Sequence, residues 1–482
     1  MDASDAGADA DVVDAMVQDV RPTYLGTEFW AVSTTNSNLP TDNPFSFAIA
    51  VGNPSATAVD VTVTGGALAS PRRFTVSAGG AHTEALPWVT ALSNQSQTLT
   101  NCAEGCCDAT CCEFNSTPPA SALVRNGAYR IEASRPVTIY QFNPLEFESR
   151  TSTGCQIRSY TNDASLLLPS PALGTEYLVL SHGTFAGFSF VTITGTTMTP
   201  SEVRFTGTAP VLASTRDGSV RHAAAGETVT AMLARGDVLQ VISEGERSDF
   251  TGSTVSASQP VAVVAGVDCT NISRDGSAGA CDHIEEQLFP TNTWGNEVAV
   301  SALRDRGRDE SYLLRVMAAQ DDTTVTYTPS WVRRPDRLRR GQYVEFDHRE
   351  NLLVSATGPV LVAQYMVGQQ ATPGAMAGDP AMVLEVPTRQ FRTDYVFVVP
   401  STYTTSYLQI VAPEGSMPTL DGRSFDVTRE LIEGSSWMVH RGRITAGTHT
   451  VQLNDRRPFG IKVIGIAPYT SYMYPGGLDL AR

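Results

Sequence analysis

Four stretches of the chain repeat one phrase, and this repetition restricts the fold more than any other feature. They are AYRIEASRPVTIYQF (128–142), STVSASQPVAVVAG (253–266), LLVSATGPVLVAQY (352–365) and HTVQLNDRRPFGIKVIG (449–465). In each, a short alternating run meets small or polar residues, then a proline (Pro136, Pro260, Pro359 or Pro458), and an apolar run follows. The pattern reads as a hairpin whose second strand opens on proline, because the first residue of a strand can do without its ladder N–H. The prolines stand 124, 99 and 99 residues apart.

A second phrase recurs between them: LGTEFWAVS (25–33), LGTEYLVLS (173–181), WGNEVAVSA (294–302) and RTDYVFVVP (392–400), anchored on Glu28, Glu176, Glu297 and Asp394. Another strand-like run follows each of these, SFAIAVGN, FSFVTITG, YLLRVMAA or YLQIVAPE. Two phrases that keep one order four times predict an all-β chain of four tandem β-sandwich-like repeats, each of about 100 residues. A β-propeller in which each repeat supplies two blades is the alternative. The boundaries expected are a disordered acidic linker over 1–20, then repeats over 21–171, 172–290, 291–388 and 389–482.

The formal charge of −16 argues against nucleic acid as a partner, since phosphate backbones are held by clustered cations. No apolar run reaches transmembrane length. Among 34 basic residues only Lys462 is lysine, a bias expected of a GC-rich bacterial genome. Eight cysteines suggest an oxidising compartment, yet the aspartate-rich start has neither the basic nor the apolar part of an export signal. The expected resolution is an export signal or lipid-anchor cysteine upstream of the given start, making the chain an extracellular or cell-surface lipoprotein or secreted protein.

TNDASLLLPSPALGTEYLVLS (161–181), SDFTGSTVSASQPVAVVAG (248–266), ATGPVLVAQY (356–365) and AGTHTVQLNDRRPFGIKVIGIAPYTSYMYPGG (446–477) resemble the IgGFc-binding-protein N-terminal domain family. That family occurs in secreted animal mucus proteins and in large bacterial surface proteins, and the resemblance covers roughly 24–477. It implies a secreted or surface-exposed adhesion module whose partner is a surface protein or glycan. No residue matches an Fc-contacting motif, so no binding residue is carried over.

The search for chemistry predicts no enzyme and no cofactor. There is no G-x-S-x-G elbow, H-E-x-x-H, phosphate loop or EF-hand loop, and the seven histidines are scattered. VDCTNISRDGSAGACDHIEEQ (267–287) groups Asp268, Cys269, Cys281, Asp282, His283, Glu285 and Glu286, which suits calcium or zinc in principle. A Cys269–Cys281 disulfide with solvated acids is the favoured reading. SWVRRPDRLRRGQY (330–343) offers Trp331, Arg333, Arg334, Arg337, Arg339 and Arg340 as ligand contacts for an anionic glycan or acidic partner. Its plainer reading is a solvated loop paired with the chain's own acids. Tyr469, Tyr472 and Tyr474 are read as cover for the edge of the last sandwich.

NCAEGCCDATCCEFN (101–115) holds Cys102, Cys106, Cys107, Cys111 and Cys112 inside an insertion of about 45 residues peculiar to the first repeat. The expectation is a stapled decoration on one loop, with Cys155 as a further disulfide candidate and the connectivity open. The x3 spacings suit neither a zinc pair-of-pairs nor a C-x-x-C redox centre. Two classes of function remain, a broad adhesive surface and an accessory solute- or carbohydrate-binding module with one concave pocket.

Overall fold

The computed structural model describes residues 23–480 apart from 37–38, 40–44, 95–96, 101–112, 117–118, 151–155, 160, 184–187, 216–217, 246, 274–280, 305 and 308–309. The acidic segment 1–20 and Cys102, Cys106, Cys107, Cys111, Cys112 and Cys155 therefore lie outside the described residues. The described structure is almost entirely β, in curled sheets.

In its first three occurrences the proline phrase is not a hairpin. It forms one continuous strand, Tyr129–Asn143, Thr254–Thr270 or Leu352–Met366. The first half of Tyr129–Asn143 lies between Gly26–Ala31 and Val59–Gly65, and the second half between Phe47–Gly52 and Asp163–Leu167. One strand thus serves two sheets and bends where it passes from one to the other. Thr254–Thr270 and Leu352–Met366 are paired in the same way.

The bend accounts for the phrase. Ser134–Pro136, Ser258–Pro260 and Thr357–Pro359 fall between the two halves of the ladder, where a proline lacking its N–H leaves no partner unsatisfied. The hydroxyl two positions before each proline accepts the neighbouring strand's orphaned N–H. Ser134 takes Asp60 at 3.0 Å, Ser258 takes Glu202 at 2.9 Å and Thr357 takes Thr324 at 2.9 Å. In the fourth occurrence Val451 and Pro458 are two residues further apart than Val354 and Pro359. There the strand breaks into Gly447–Leu453 and Gly460–Ala467, so only this copy has the expected interruption, and Asn454 accepts the Met417 N–H at 2.9 Å.

The opening glycines are explained by crowding. A Cβ on Gly26, Gly174 or Gly295 would stand 2.2, 2.6 or 2.4 Å from Pro169, Pro290 or Pro387, the prolines that follow the last strand of the same segment. Each segment therefore ends where it began. Those last strands, Asp163–Leu167, Asp282–Gln287, Ala381–Leu384 and Thr470–Pro475, lie one against the next around a common axis, and the fourth lies against the first. The round is closed by the chain ends: the Tyr24 N–H donates to the Leu478 carbonyl at 3.0 Å and Thr23 bridges Asp479. Arg392, which stands where the other segments have glycine, pairs with Asp479 and covers the Tyr24 ring. One apolar cluster runs through all four segments, and a second fills the rest of the third and takes in Tyr407, Ile464, Ile466 and Met473 of the fourth.

The insertion of the first segment is more than a loop decoration. It carries the short helix Thr90–Ser93 and the ribbon Gln97–Thr100 with Glu113–Ser116. Its returning limb, Ala122–Val124, then pairs with Val238–Ile242 of the second segment. The Gln240 amide, buried beneath, donates to the Leu92 carbonyl at 2.7 Å and its oxygen accepts the Thr35 N–H at 3.2 Å. The insertion ties two segments together, which spacing alone does not reveal.

Candidate functional site

Among the equivalent strands Phe47–Gly52, Ser189–Gly195, Tyr312–Ala318 and Thr405–Pro413, only Tyr312–Ala318 carries a charge, Arg315. It is 4% exposed and faces the second segment. Its guanidinium reaches Asp249 at 2.7 Å and Glu345 at 2.5 Å, donates to the Ser181 carbonyl at 2.8 Å and the Thr251 hydroxyl at 2.7 Å, and lies 4.7 Å over the Tyr343 ring. Burial opposes ionisation of Asp249, but Arg315 and Thr251 outweigh it and hold the carboxyl below its usual range. Burial, helped by Arg315, pushes the adjacent His182 down to about 4, so its ring is neutral at pH 7.

Beside this hub an open cleft of about 550 Å³ separates the second and third segments, with Thr208 and Thr251 on one wall and Leu338, Arg340, Gln342 and Tyr343 on the other. The second wall is the end of the arginine-rich stretch. Arg333 is engaged by Asp336 at 2.7 and 3.0 Å and covers the Phe346 ring, while Arg337 meets Asp322 at 2.8 Å. Arg334, Arg339 and Arg340 are exposed, and their side chains make no ion pair among the described residues. Trp331 is 61% exposed, its ring 6.3 Å from that of His348. The stretch thus divides into a half-buried Arg333 that braces the loop, an exposed Arg337 paired at the surface, and three exposed arginines without an ion pair among the described residues, one of them on the cleft. Polar walls, an unpaired guanidinium and an aromatic rim suit reversible recognition of an extended anionic group.

Sequence reasoning missed Arg315, Asp249, Thr251 and Thr208. The signal was present for Arg315 alone, as the charge that breaks an otherwise apolar strand phrase.

The other sequence candidates are brought elsewhere. Cys269 and Cys281 form a disulfide, Cα–Cα 5.3 Å. The acids beside them are not solvated: Asp268, Asp282, Glu285 and Glu286 are buried, the last three on the strand Asp282–Gln287 that lines the common axis. Glu285 accepts the Gln141 amide at 2.7 Å and the Thr34 hydroxyl, Asp282 accepts Thr470 at 3.1 Å, and Glu286 accepts Ser165 at 2.8 Å. Burial pushes Asp282, Glu286 and Asp163 well up from the usual carboxylate value, and each accepts a hydrogen bond from another segment. Among the described residues no three His, Cys, Asp or Glu side chains are arranged to hold a metal. Tyr472 and Tyr474 are also at the axis and fully buried, against Tyr403 and Tyr140 at 4.6 and 4.4 Å, and do not cover an outer edge. Tyr469 is 37% exposed.

The family model described as IgGFc binding protein matches residues 163–465, from the last strand of the first segment to the last pair of strands in the fourth. The IgGFc-binding protein of Homo sapiens is 28% identical over 322 residues, which cover 65% of this chain and 6% of that protein. The chain thus spans a small part of the length of this relative. The match takes in both walls of the cleft, Arg315 and the Cys269–Cys281 disulfide, and on its extent the chain belongs to the IgGFc binding protein family.

Proposed function

We propose that the chain is a non-catalytic binding module that works outside the cell or on its surface, and that it takes an anionic segment of a surface protein or glycan in the cleft beside Arg340. The observation that carries this reading is the exposed Arg340, without an ion pair among the described residues, on the wall of an open cleft whose Tyr343 ring lies under the buried Arg315. A shared pairing scheme in all four segments supports their reading as tandem sandwich-like units. The human relative's name states that it binds the Fc part of IgG, which makes Fc one probe of this chain.

Surface plasmon resonance of the intact chain against immobilised human IgG Fc and against polygalacturonate tests the proposal. Binding to either that falls roughly tenfold in R339S/R340S is the expected result. Binding to both that is indifferent to the double substitution, or binding to neither, overturns it.

A further inference from the structure

The outer strand beside the bent strand's partner is covered in some segments and open in others. In the second segment Val238–Ile242 is covered by Ala122–Val124, donated from the first. In the fourth Trp437–Ile444 is covered by Thr428–Leu431. Both added strands run antiparallel. The equivalent strand of the third segment, Tyr343–His348, pairs with Tyr312–Ala318 on one side and with no strand on the other among the described residues. Ala81–Leu86 of the first segment is open too, but only the third edge has an exposed aromatic at each end. Tyr343 begins it, 37% exposed, and Trp331 reaches the ring of His348 at the other end. Open edges are sites of strand addition, and rigid aromatic rings are the side chains that most often anchor a partner.

We propose that Tyr343–His348 is a docking edge on which an extended segment of a partner protein adds as an antiparallel strand, held at its ends by Tyr343 and Trp331. The molecule already fills the corresponding edge of its second segment in this way, with three residues from a separate part of the chain. A second copy of the chain is a poor occupant, because pairing this edge with itself sets the exposed Glu345 and Asp347 against their own kind. The occupant therefore carries cationic or hydroxyl residues at alternate positions along the edge. It places an acidic residue where it reaches Arg340, and only this last contact rests on the reading of the cleft as a binding site.

The test is selection from a displayed library of peptides of about ten residues on the intact chain, followed by hydrogen exchange with the selected peptides bound. Expected are peptides that slow exchange of the amides of 343–348 and that bind roughly tenfold more weakly to W331S. Retained binding in R339S/R340S with loss in W331S upholds the edge and removes the cleft. The proposal is overturned by a selection that yields no binder, by protection confined to other strands, or by a chain that dimerises through this edge.

Discussion

Arg315→Met removes the charge on which the junction of the second and third segments converges. Deleting one partner of a buried ion pair costs about 3–5 kcal/mol, because the other charge is left without compensation. Here Glu345, its side chain 35% exposed, turns to water at little cost, while Asp249 at 19% and the buried Ser181 carbonyl do not. The loss expected is therefore near the lower limit, about 3 kcal/mol. Urea unfolding of the intact chain, followed by tyrosine and tryptophan fluorescence, measures it. R315M/D249N, which removes both charges, should recover about 1–2 kcal/mol of that loss, and a double-mutant cycle isolates the pair. The pH dependence has a definite sign. Asp249 is held below its ordinary value of 3.8, so its contribution is complete above that value and is lost as the pH falls through the folded one. The gap between wild type and R315M should narrow only in strong acid. A substitution cost within about 0.5 kcal/mol of zero, or a gap that widens on acidification, refutes the hub.

Three further outcomes follow from the same structure. Replacing Cys269 and Cys281 by serine opens a loop whose ends are 12 residues apart in sequence and should cost about 3 kcal/mol, read as a shift in the urea midpoint that reducing agent does not enlarge. His440 is buried and, by desolvation and then Arg429, pushed down to about 4, so stability present above pH 6.5 is lost as the pH falls toward 4, and H440F should flatten the thermal-melt profile across that range. Gly266→Ala sets a Cβ 1.9 Å from the Ile284 carbonyl in the strand that lines the axis and should destabilise by about 1–3 kcal/mol in the same urea assay, whereas wild-type stability would mean that the strand can move aside.

The all-β class and the order of strands were legible because both periods, two within a strand and about a hundred between phrases, are written in β-branched residues and prolines. The misreading of S-x-P and T-x-P as a turn has a physical source. A hydroxyl, a small residue and proline are also what a strand needs to leave one sheet and enter another, and only the cross-strand N–H of Asp60, Glu202 or Thr324 distinguishes the two. The Cys269–Cys281 pair was local and therefore readable. Burial of Asp282 and Glu286 was not, because their partners Thr470 and Ser165 are far away in sequence and the strand reads as polar. In the arginine stretch the sequence showed the charge, but which side chains are paired depends on Asp322 and Asp336, one of them on a neighbouring turn. Arg315 was visible only by comparing strands at the same place in the four segments.

The meeting of Thr23 and Tyr24 with Leu478 and Asp479 has a mechanical consequence. A pull on the two ends of the described chain enters and leaves at one point, so tension falls first on the Tyr24–Leu478 hydrogen bond and the Arg392–Asp479 pair. The bent strands and the buried axis carry none until that seam has peeled. Under stretch the molecule should lengthen at the seam while its four segments stay folded, which makes the closure a fuse for the surface that it helps to hold in shape.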